Sequence, residues 1–370
     1  MKHKFFKLLA LTLALTMILP LALLGCSDAI LNDTVMNNIQ NNDASNNNGG
    51  TTPPQKTTEA VAALDLTAEW EKLNGENTLV QGCLVVRTEF AEQHPDEVAK
   101  FLADYKASIE TVMAGGDEAA NLVVSAGILP KLPIAKKALP GCNLCYFAGN
   151  DMKPLMTTFY KKLLAVNPQS IGGKLPDDGL YYTENGNASA ADPSTEIRIM
   201  ALSGTTALGM AKMIVDVKNG ESDMNYNIAE LQSDPQLIKA ALLNGDCDIA
   251  ALPTNLASAI YNASQGKVKL LALNTLGVLY LLQSKGYPAV SSLNDLKGKT
   301  VYVPSANPEQ ITIALLQSAG LVIGTDVIVD ATTYATPDEL ANAFAAGLIE
   351  LAVLPEPKVT VALTQANAQK

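Results

Sequence analysis

The same pattern occurs twice in the chain, at residues 234–255 (DPQLIKAALLNGDCDIAALPTN) and at residues 336–357 (TPDELANAFAAGLIELAVLPEP). In each copy a proline opens an apolar helical run, a glycine ends it, and an apolar strand follows. The strand closes on a second proline, 18 residues after the first. An offset of 102 residues superposes the pairs Pro235/Pro337, Gly245/Gly347, Ala250/Ala352 and Pro253/Pro355. Because spacing and chemistry agree over a complete unit, the sequence predicts two similar α/β lobes.

Outward from this repeat, short β-rich runs alternate with helical patterns. The predicted strands are residues 196–202, 226–231, 247–252, 268–273, 300–303, 327–331 and 349–354. The predicted helices are residues 206–217, 234–243, 254–263, 308–318, 337–345 and 357–364. Alternation of this kind is typical of parallel βαβ units, in which helices cover the sheet.

Residues 61–182 have a different character. One plausible strand spans residues 77–86, and the predicted helices are residues 95–113, 117–126, 133–137 and 151–166. A helical segment with a single strand is not a self-contained α/β domain, so we expect it to join a sheet that other parts of the chain form.

The composition excludes several classes of function. The chain has 370 residues, 48% of them hydrophobic, with 37 acidic and 26 basic side chains. That length favours two lobes over one core. The net charge of −11 argues against nucleic-acid binding, which needs a basic face. Five cysteines are too few for a disulfide framework, and two histidines argue against a His-ligated metal or a His-based triad. We therefore expect no metal, no cofactor and no catalytic residue.

The first 25 residues have the pattern of a secretory signal. Three lysines within the first seven residues precede a nearly unbroken apolar run. The sequence Leu23-Leu24-Gly25-Cys26 resembles a bacterial lipobox, which implies that residues 1–25 are removed and that Cys26 is lipidated. The alternative is an uncleaved membrane anchor, since the run is close to spanning length. Either reading predicts an extracytoplasmic protein, with residues 26–60 as a disordered tether rich in Asn, Gly and Pro.

Five segments carry a resemblance to a known family: Leu79–Arg87 (LVQGCLVVR), Ile199–Thr206 (IMALSGTT), Asp248–Asn255 (DIAALPTN), Asn274–Gly277 (NTLG) and Leu296–Tyr302 (LKGKTVY). They resemble extracytoplasmic solute-binding proteins of ABC importers, in the nitrate/sulfonate/taurine-type and thiamine-precursor-like branch. The resemblance implies a type II periplasmic-binding-protein-like fold: two α/β lobes with mainly parallel sheets flanked by helices, and a ligand cleft between them. It also implies a monomer that binds a small-molecule solute, an ABC permease as partner, and attachment to the lipid bilayer through Cys26.

The order of the segments departs from that family, in which the counterpart of residues 196–367 comes first and that of residues 61–182 follows. The chain therefore resembles a circular permutant, with residues 183–195 (TENGNASAADPST) as the join. This order predicts that one crossover between the lobes is cut or rerouted. The expected lobes are residues 79–182 with 196–285 and residues 61–78 with 286–370.

The expected ligand site follows from the predicted fold. In open α/β sheets, ligands bind beyond the carboxyl ends of the strands, where helix N-termini offer unpaired N–H groups. Such residues also cap helices in any α/β protein. Glu356 either pairs with a ligand amine or complements a helix dipole. The candidate ligand-binding residues are Ser203, Gly204, Thr205, Thr206, Pro253, Thr254, Asn255, Asn274, Ser305, Asn307 and Glu356.

Other side chains bear on the ligand and on redox chemistry. The chain has two arginines, Arg87 and Arg198, which is thin provision for a sulfonate or nitrate clamp. The sequence Cys142-Asn143-Leu144-Cys145 is an isolated CxxC, a weak signal for zinc or thioredoxin-like chemistry. It predicts either two packed thiols or one disulfide. Three tyrosines offer rings for ligand stacking or for core packing: Tyr280, Tyr302 and Tyr334.

Three functions of different classes remain open at this point. The first is a receptor that closes two lobes on a solute. The second is an enzyme on the same fold, either thiamine-pyrimidine-synthase-like or a small-molecule lyase, since fold alone does not separate the two. The synthases of that resemblance need a reactive His and a Cys-rich segment that this sequence does not match, and export favours capture over metabolism. The third is a structural lipoprotein.

Overall fold

Two β-sheets flanked by helices make up the part of the chain that this computed structural model describes, residues 57–183 and 186–368. The strands are β1 (Val61–Asp65), β2 (Gly82–Arg87), β3 (Leu144–Ala148), β4 (Ile197–Ala201), β5 (Tyr226–Ile228), β6 (Ile249–Pro253), β7 (Val268–Thr275), β8 (Leu279–Gln283), β9 (Lys299–Tyr302), β10 (Val327–Asp330) and β11 (Leu351–Pro355). The helices are α1 (Leu66–Asn74), α2 (Thr88–Gln93), α3 (Pro95–Met113), α4 (Gly116–Ser125), α5 (Leu132–Ala138), α6 (Met152–Val166), α7 (Thr205–Leu208), α8 (Ala211–Asn219), α9 (Pro235–Asn244), α10 (Thr254–Ser264), α11 (Asn307–Ser318), α12 (Pro337–Ala345) and α13 (Lys358–Ala368). Within these residues, none of the helices combines the length and the apolar character that crossing a membrane requires. The predicted signal segment, Cys26 and the tether up to residue 56 lie outside the described residues.

The two sheets share one strand order. Sheet 1 has the order β3-β7-β2-β6-β4-β5, and sheet 2 has the order β1-β8-β11-β9-β10. Each contains a parallel trio, β5-β4-β6 or β10-β9-β11, followed by a reversed strand, β2 or β8. The next strand, β7 or β1, runs with the trio again, and β3 adds an antiparallel edge to sheet 1. The predicted architecture of two similar α/β lobes is confirmed. The sheets are mixed where mainly parallel ones were expected: among the described residues, four strand pairs are parallel and five are antiparallel.

The 102-residue repeat appears in the elements themselves. The offset superposes β6 on β11 and the start of α9 on the start of α12. Asp234 caps α9 and Thr336 caps α12, each by accepting a backbone N–H of the first turn. Beyond the helix ends, Gly245 and Gly347 have φ angles of 83° and 72°, a left-handed conformation that glycine adopts without strain. Both repeat units therefore begin their helix with a polar cap, end it at a left-handed glycine and continue into a strand.

One apolar core connects the two sheets. Side chains alternate along each strand, so that Val353 of β11 joins a cluster shared with sheet 1, while Leu354 joins a separate cluster under α12 and α13. In the shared cluster, Trp70 of α1 meets Phe159 of α6 edge to face, with ring centroids 6.0 Å apart. Helices α1 and α6, both from residues 61–182, therefore pack between the sheets.

Residues 61–182 contribute three strands, where the sequence predicted one. β1 is an edge of sheet 2, β3 is an edge of sheet 1, and β2 lies inside sheet 1. β1 (VAALD) and β3 (LCYFA) are apolar but only five residues long, and their strand partners lie in distant segments of the chain. The predicted strand at residues 77–86 is limited to β2, because the residues before it run between the sheets. The segment does complete sheets that other parts of the chain form, as expected.

The predicted helix at residues 206–217 is two helices, α7 and α8, which break at Gly209. Ser108 of α3 inserts into the break, where its Oγ donates to the carbonyl of Gly209 at 2.6 Å and accepts the N–H of Met213 at 3.4 Å. A hydroxyl in this place takes over the backbone bond that would continue the helix. A Cβ atom at position 209 would lie 2.2 Å from Oη of Tyr105, so the close approach of α3 requires glycine.

The chain crosses between the sheets twice, after α1 and after β7. The second crossover consists of residues 276–278, and the strand that follows it, β8, pairs with β1 and β11. Residues 279–283 therefore lie in sheet 2, although residues up to 285 were expected in the first lobe. Both crossovers are continuous, which contradicts the expectation that one is cut or rerouted.

The expected join at residues 183–195 lies, in its described part, across the start of α3. The N–H of Asn187 donates to Oδ1 of Asp96 at 2.6 Å, and the N–H of Asp192 donates to Oε1 of Glu97 at 3.1 Å. At the other side of the molecule, the side chain of Asn367 makes two hydrogen bonds with the backbone of Ala60, both at 2.9 Å. The segment before β1 and the end of α13 are therefore neighbours on sheet 2.

Candidate functional site

The carboxyl ends of the parallel strands in the two sheets meet at the second crossover. Val278 donates its N–H to Oε1 of Gln81 at 2.7 Å, and its carbonyl accepts the N–H of Glu356 at 2.9 Å. The carbonyl of Gln81 in turn accepts the N–H of Thr254 at 3.2 Å. This series of bonds connects the loop after β6 with the loop after β11. The geometry expected of a two-lobe binding protein, with the carboxyl ends of both sheets adjacent, is therefore present.

The loop after β4 turns at Gly204, whose φ of 103° suits glycine. Ser203 is exposed, and Thr205 is partly exposed at the start of α7. Thr206 faces inward: its Oγ1 donates to a carbonyl of the same loop at 2.9 Å, and its own carbonyl accepts Nδ2 of Asn274 at 3.1 Å. Asn274, which is 1% exposed, therefore supports the loop from beneath. Two of these five candidates hold the loop, and three form its surface.

The loop after β6 is bonded to the protein on most sides. Pro253 ends the strand opposite Gly82. Thr254 is fully buried; its Oγ1 donates to the carbonyl of Val80 at 2.5 Å, and its carbonyl accepts the hydroxyl of Tyr160 at 2.9 Å. The side-chain amide of Asn255 donates to a neighbouring loop at 3.5 Å, while its Oδ1 is buried and has no donor among the described residues. Thr254 thus fills a structural role.

The loop after β9 leaves polar groups unpaired. Ser305 is exposed and donates to a carbonyl at 3.0 Å, and Ala306 has a φ of 66°, which is strained for a residue with a Cβ. Asn307 and Gln310 lie one turn apart on α11. Their side-chain oxygens, Oδ1 and Oε1, are buried without a hydrogen-bond donor among the described residues. Unpaired buried acceptors cost free energy unless a ligand or water supplies the donor.

Glu356 brings a carboxyl group to the loop after β11. The residue is 7% exposed, and its carboxylate accepts hydrogen bonds from the N–H and Oγ1 of Thr360, at 3.2 and 2.9 Å. Burial raises the pKa of Glu356 to about 7, although the bonds from Thr360 act in the opposite direction. Because Thr360 lies in the first turn of α13, the carboxyl complements the N-terminus of this helix, one of the two roles expected from the sequence.

The structure connects most of the candidates with one another. Asn274 is bonded to Thr206, and Glu356 is connected to Thr254 through the second crossover. Among the described residues, no hydrogen bond joins Ser305 or Asn307 to another candidate. Contact of any of these residues with a solute stays a prediction.

One contact across the carboxyl edges of the two sheets was not predicted from the sequence. The short 3-10 turn Leu139–Cys142 precedes β3 of sheet 1 and reaches the start of β8 in sheet 2, where Oη of Tyr280 donates to the carbonyl of Gly141 at 3.0 Å. Beside it, Nδ2 of Asn143 donates to the carbonyl of Gly277 in the second crossover at 2.6 Å. The pair Pro140-Gly141 indicates a turn, but nothing in its sequence indicates the partner, which belongs to the other sheet.

The other two tyrosines pack against each other. The rings of Tyr302 and Tyr334 meet at 64°, with centroids 5.8 Å apart, beside the cluster under α12 and α13. Of the two roles left open for these rings, the structure shows packing.

Both arginines of the chain bind one carboxylate far from the candidate loops. Arg198 donates to Asp248 through Nε at 2.8 Å and Nη2 at 2.7 Å, and Arg87 donates to it through Nη2 at 3.0 Å. Burial alone would raise the pKa of Asp248, which is 1% exposed, but these hydrogen bonds outweigh it and hold the pKa below its usual range. Because Asp248 precedes β6, the cluster lies at the amino ends of the strands. Both arginines are therefore bound to Asp248 and do not form an anion-binding site at the carboxyl edges.

The described cysteines are free thiols and buried, so the CxxC forms no disulfide and the alternative of two packed thiols holds. Cys142 and Cys145 belong to different core clusters, on opposite sides of sheet 1. Burial raises the pKa of Cys145 and of Cys247 to about 12, which disfavours reactive thiolates. Across the described ranges, no group of three or more His, Cys, Asp and Glu side chains is arranged to hold a metal ion.

Two cavities lie on the helical side of sheet 1. One, of about 570 Å³, opens between the ends of α3, α4 and α5. It is bordered by Pro140 and Asn143, which flank the contact of Gly141 with Tyr280. The other, of about 210 Å³, lies between α3 and α8 among acidic side chains. Neither is lined by a candidate ligand residue. In this arrangement of the sheets, the candidate loops enclose neither of these cavities.

Comparison with known proteins gives a distant likeness in fold. No protein-family profile matches the chain, and no curated protein sequence matches it. Among solved structures, the chain is similar to the periplasmic aliphatic sulphonate binding protein SsuA from Escherichia coli, with 21% sequence identity and a TM-score of 0.32. The alignment covers 46% of this chain and 58% of that protein, so the chain spans a little over half of its length.

Proposed function

We propose that the protein is a solute-binding protein of an ABC importer, which captures a small molecule between two lobes and delivers it to a membrane permease. The main support is the pairing of two sheets with one strand order, whose carboxyl edges adjoin at the crossovers. Two segments, residues 75–81 and residues 276–278, join the sheets, as a hinge between two lobes requires. Lobe 1 comprises the elements of sheet 1, and lobe 2 comprises those of sheet 2.

The proposal includes the location of the protein and its chemistry. Cys26 would carry the lipid, and residues 26–60 would hold a monomeric, extracytoplasmic binding unit near the membrane. The buried acceptors of Asn255, Asn307 and Gln310 suit a solute that donates hydrogen bonds. The solute of SsuA is not carried over, because both arginines are bound to Asp248 and because helix N-termini are the remaining anion-binding groups. Catalysis is not part of the proposal, since the described thiols are buried.

Thermal unfolding with a panel of sulfonates, nitrate, amino acids, pyrimidines and flavins tests solute capture. A ligand at about a hundred times its dissociation constant stabilises the bound state by roughly 2.7 kcal/mol, which shifts the midpoint measurably. We expect one compound to give a saturable shift and to be recovered unchanged. N307A should weaken that shift, and E350Q, at the amino end of β11, should leave it intact. A compound that is recovered chemically altered would contradict the receptor proposal in favour of an enzyme.

We further propose that the chain is a circular permutant of that class, joined through residues 183–195. Because Asn367 is bonded to Ala60, a chain that begins at residue 196 and continues from Asn367 directly into Ala60 needs little rearrangement. Such a chain should unfold in one cooperative transition, with a midpoint within a few degrees of the parent. A rearranged chain without cooperative unfolding would contradict the permutation.

A further inference from the structure

The turn Leu139–Cys142 covers the carboxyl of Glu356. This turn belongs to the sheet 1 side of the molecule, and Glu356 follows β11 of sheet 2. Oη of Tyr280 donates to the carbonyl of Gly141 at 3.0 Å and fixes the turn against sheet 2. Helix α5, which leads into the turn, also contacts α13. The carboxyl is therefore buried by a contact between the two sheets, and separation of the sheets would return it to water.

Glycine at position 141 makes this contact close. A Cβ atom there would lie 3.1 Å from Oη of Tyr280 and 3.2 Å from Cγ of Glu356. Both distances are tighter than ordinary packing, so a methyl group here already requires a small shift of its neighbours, and a bulky side chain has no room between the turn and sheet 2. The Gly141, Tyr280 and Glu356 contact is called the latch below.

The latch buries a titratable group without a cation. The carboxyl receives hydrogen bonds from Thr360 of its own helix. The titratable groups that face it are Tyr280 of β8 and Cys142 of the turn, with Asp65 of β1 beyond Tyr280, and none of them is positive. On α13 the neighbouring Lys358 is paired with Asp338 of α12. Burial raises the pKa of Glu356 from 4.5 to about 7.

We propose that the latch is a pH-sensitive contact, which holds the two sheets together when Glu356 is protonated and releases them when it ionises. The closed form binds the proton more tightly than an open form in which water surrounds the carboxyl. The preference for the closed form is therefore complete below about pH 4.5 and is lost as the pH rises to about 7, by a factor of up to about 300. This inference concerns the contact itself and does not depend on the identity of a solute.

Fluorescence energy transfer between dyes on the two sides of the latch tests it. Lys137 on α5 and Asn342 on α12 are exposed, and the described native cysteines are buried, so K137C and N342C provide the labelling sites. A chain without these substitutions measures background labelling. In solute-free protein we expect the dye separation to increase between about pH 5 and about pH 8. A separation that stays constant over this range would overturn the proposal.

Two substitutions and a control separate the latch from a general effect of pH. E356Q should keep the sheets together at both pH values, because the amide does not ionise. G141W should show the larger separation at both, because the indole ring has no room between the turn and sheet 2, and it serves as the second test should E356Q fail to fold. E350Q removes an exposed carboxyl directly before β11, at the opposite end of that strand from Glu356, and should respond to pH like the parent. A pH response retained in E356Q, or a closed G141W, would contradict the latch.

Discussion

Thr254 and Glu356 occupy equivalent places in the two sheets, 102 residues apart, but their chemistry differs. In sheet 1, Thr254 is fully buried and its hydroxyl is bonded to the crossover at Val80. In sheet 2, Glu356 is bonded to its own helix and is covered by the other sheet. The repeat has therefore retained strands, caps and glycines while its carboxyl-edge positions have taken different roles. Sheet 1 supplies mostly satisfied structural groups there, and sheet 2 supplies titratable or unpaired ones.

The amino ends of the same strands show the opposite contrast. Asp248 precedes β6 and binds both arginines, whereas Glu350, its counterpart before β11, is exposed. An ionic cluster around the buried Asp248 thus stabilises the amino edge of sheet 1, whereas the equivalent residue of sheet 2, Glu350, is exposed.

The largest expected effect comes from removing this cluster. D248A would leave Arg198 without its carboxylate and Arg87 with the exposed Glu89 alone, which costs about 3 kcal/mol of unfolding free energy. E350A, the equivalent substitution in sheet 2, should change it by less than about 0.5 kcal/mol. Denaturant unfolding measures both values. Equal losses of unfolding free energy in D248A and E350A would show that the ionic cluster of sheet 1 contributes no more to stability than the exposed Glu350 of sheet 2.

A smaller effect distinguishes the carboxyl edges. T254V removes the hydroxyl that donates to Val80 and should cost about 1–3 kcal/mol, while T254S, which keeps the hydroxyl, should cost less. In sheet 2, N307A removes an acceptor that has no donor and should stay within about 0.5 kcal/mol in solute-free protein. Unfolding free energies without solute decide the comparison. A loss in N307A as large as that in T254V would mean that Asn307 has a structural role.

The sequence allowed the repeat, and with it most of the fold, to be predicted because its signals are local. Helix α3 begins and ends where predicted, at Pro95 and Met113, since proline at the start and apolar spacing act within one element. The edge strands β1 and β3 escaped detection because their partners come from distant segments. The cover that Gly141 provides for Glu356 escaped for the same reason: it depends on how two sheets meet. For the candidate site, the sequence predicted the loops and the types of residue that they carry. It did not predict the hydrogen bonds that Thr254 makes with Val80 or that both arginines make with Asp248.

The bond pair between Asn367 and Ala60 has a consequence for mechanical load. A pull on the chain before Thr57 first reaches the hydrogen bonds of Thr57 with Ser284, Gly286 and Tyr287. It then reaches the two bonds between Ala60 and Asn367, and after them the edge strand β1, which pairs with β8. A force directed across the sheet would open that ladder one bond after another, from Val61 inward. Along the chain, sheet 1 is connected to this point through α1 and the crossovers, and across the molecule through the contact of α5 with α13, so the load reaches it later. Tension would therefore weaken one edge of sheet 2 long before it disturbed sheet 1.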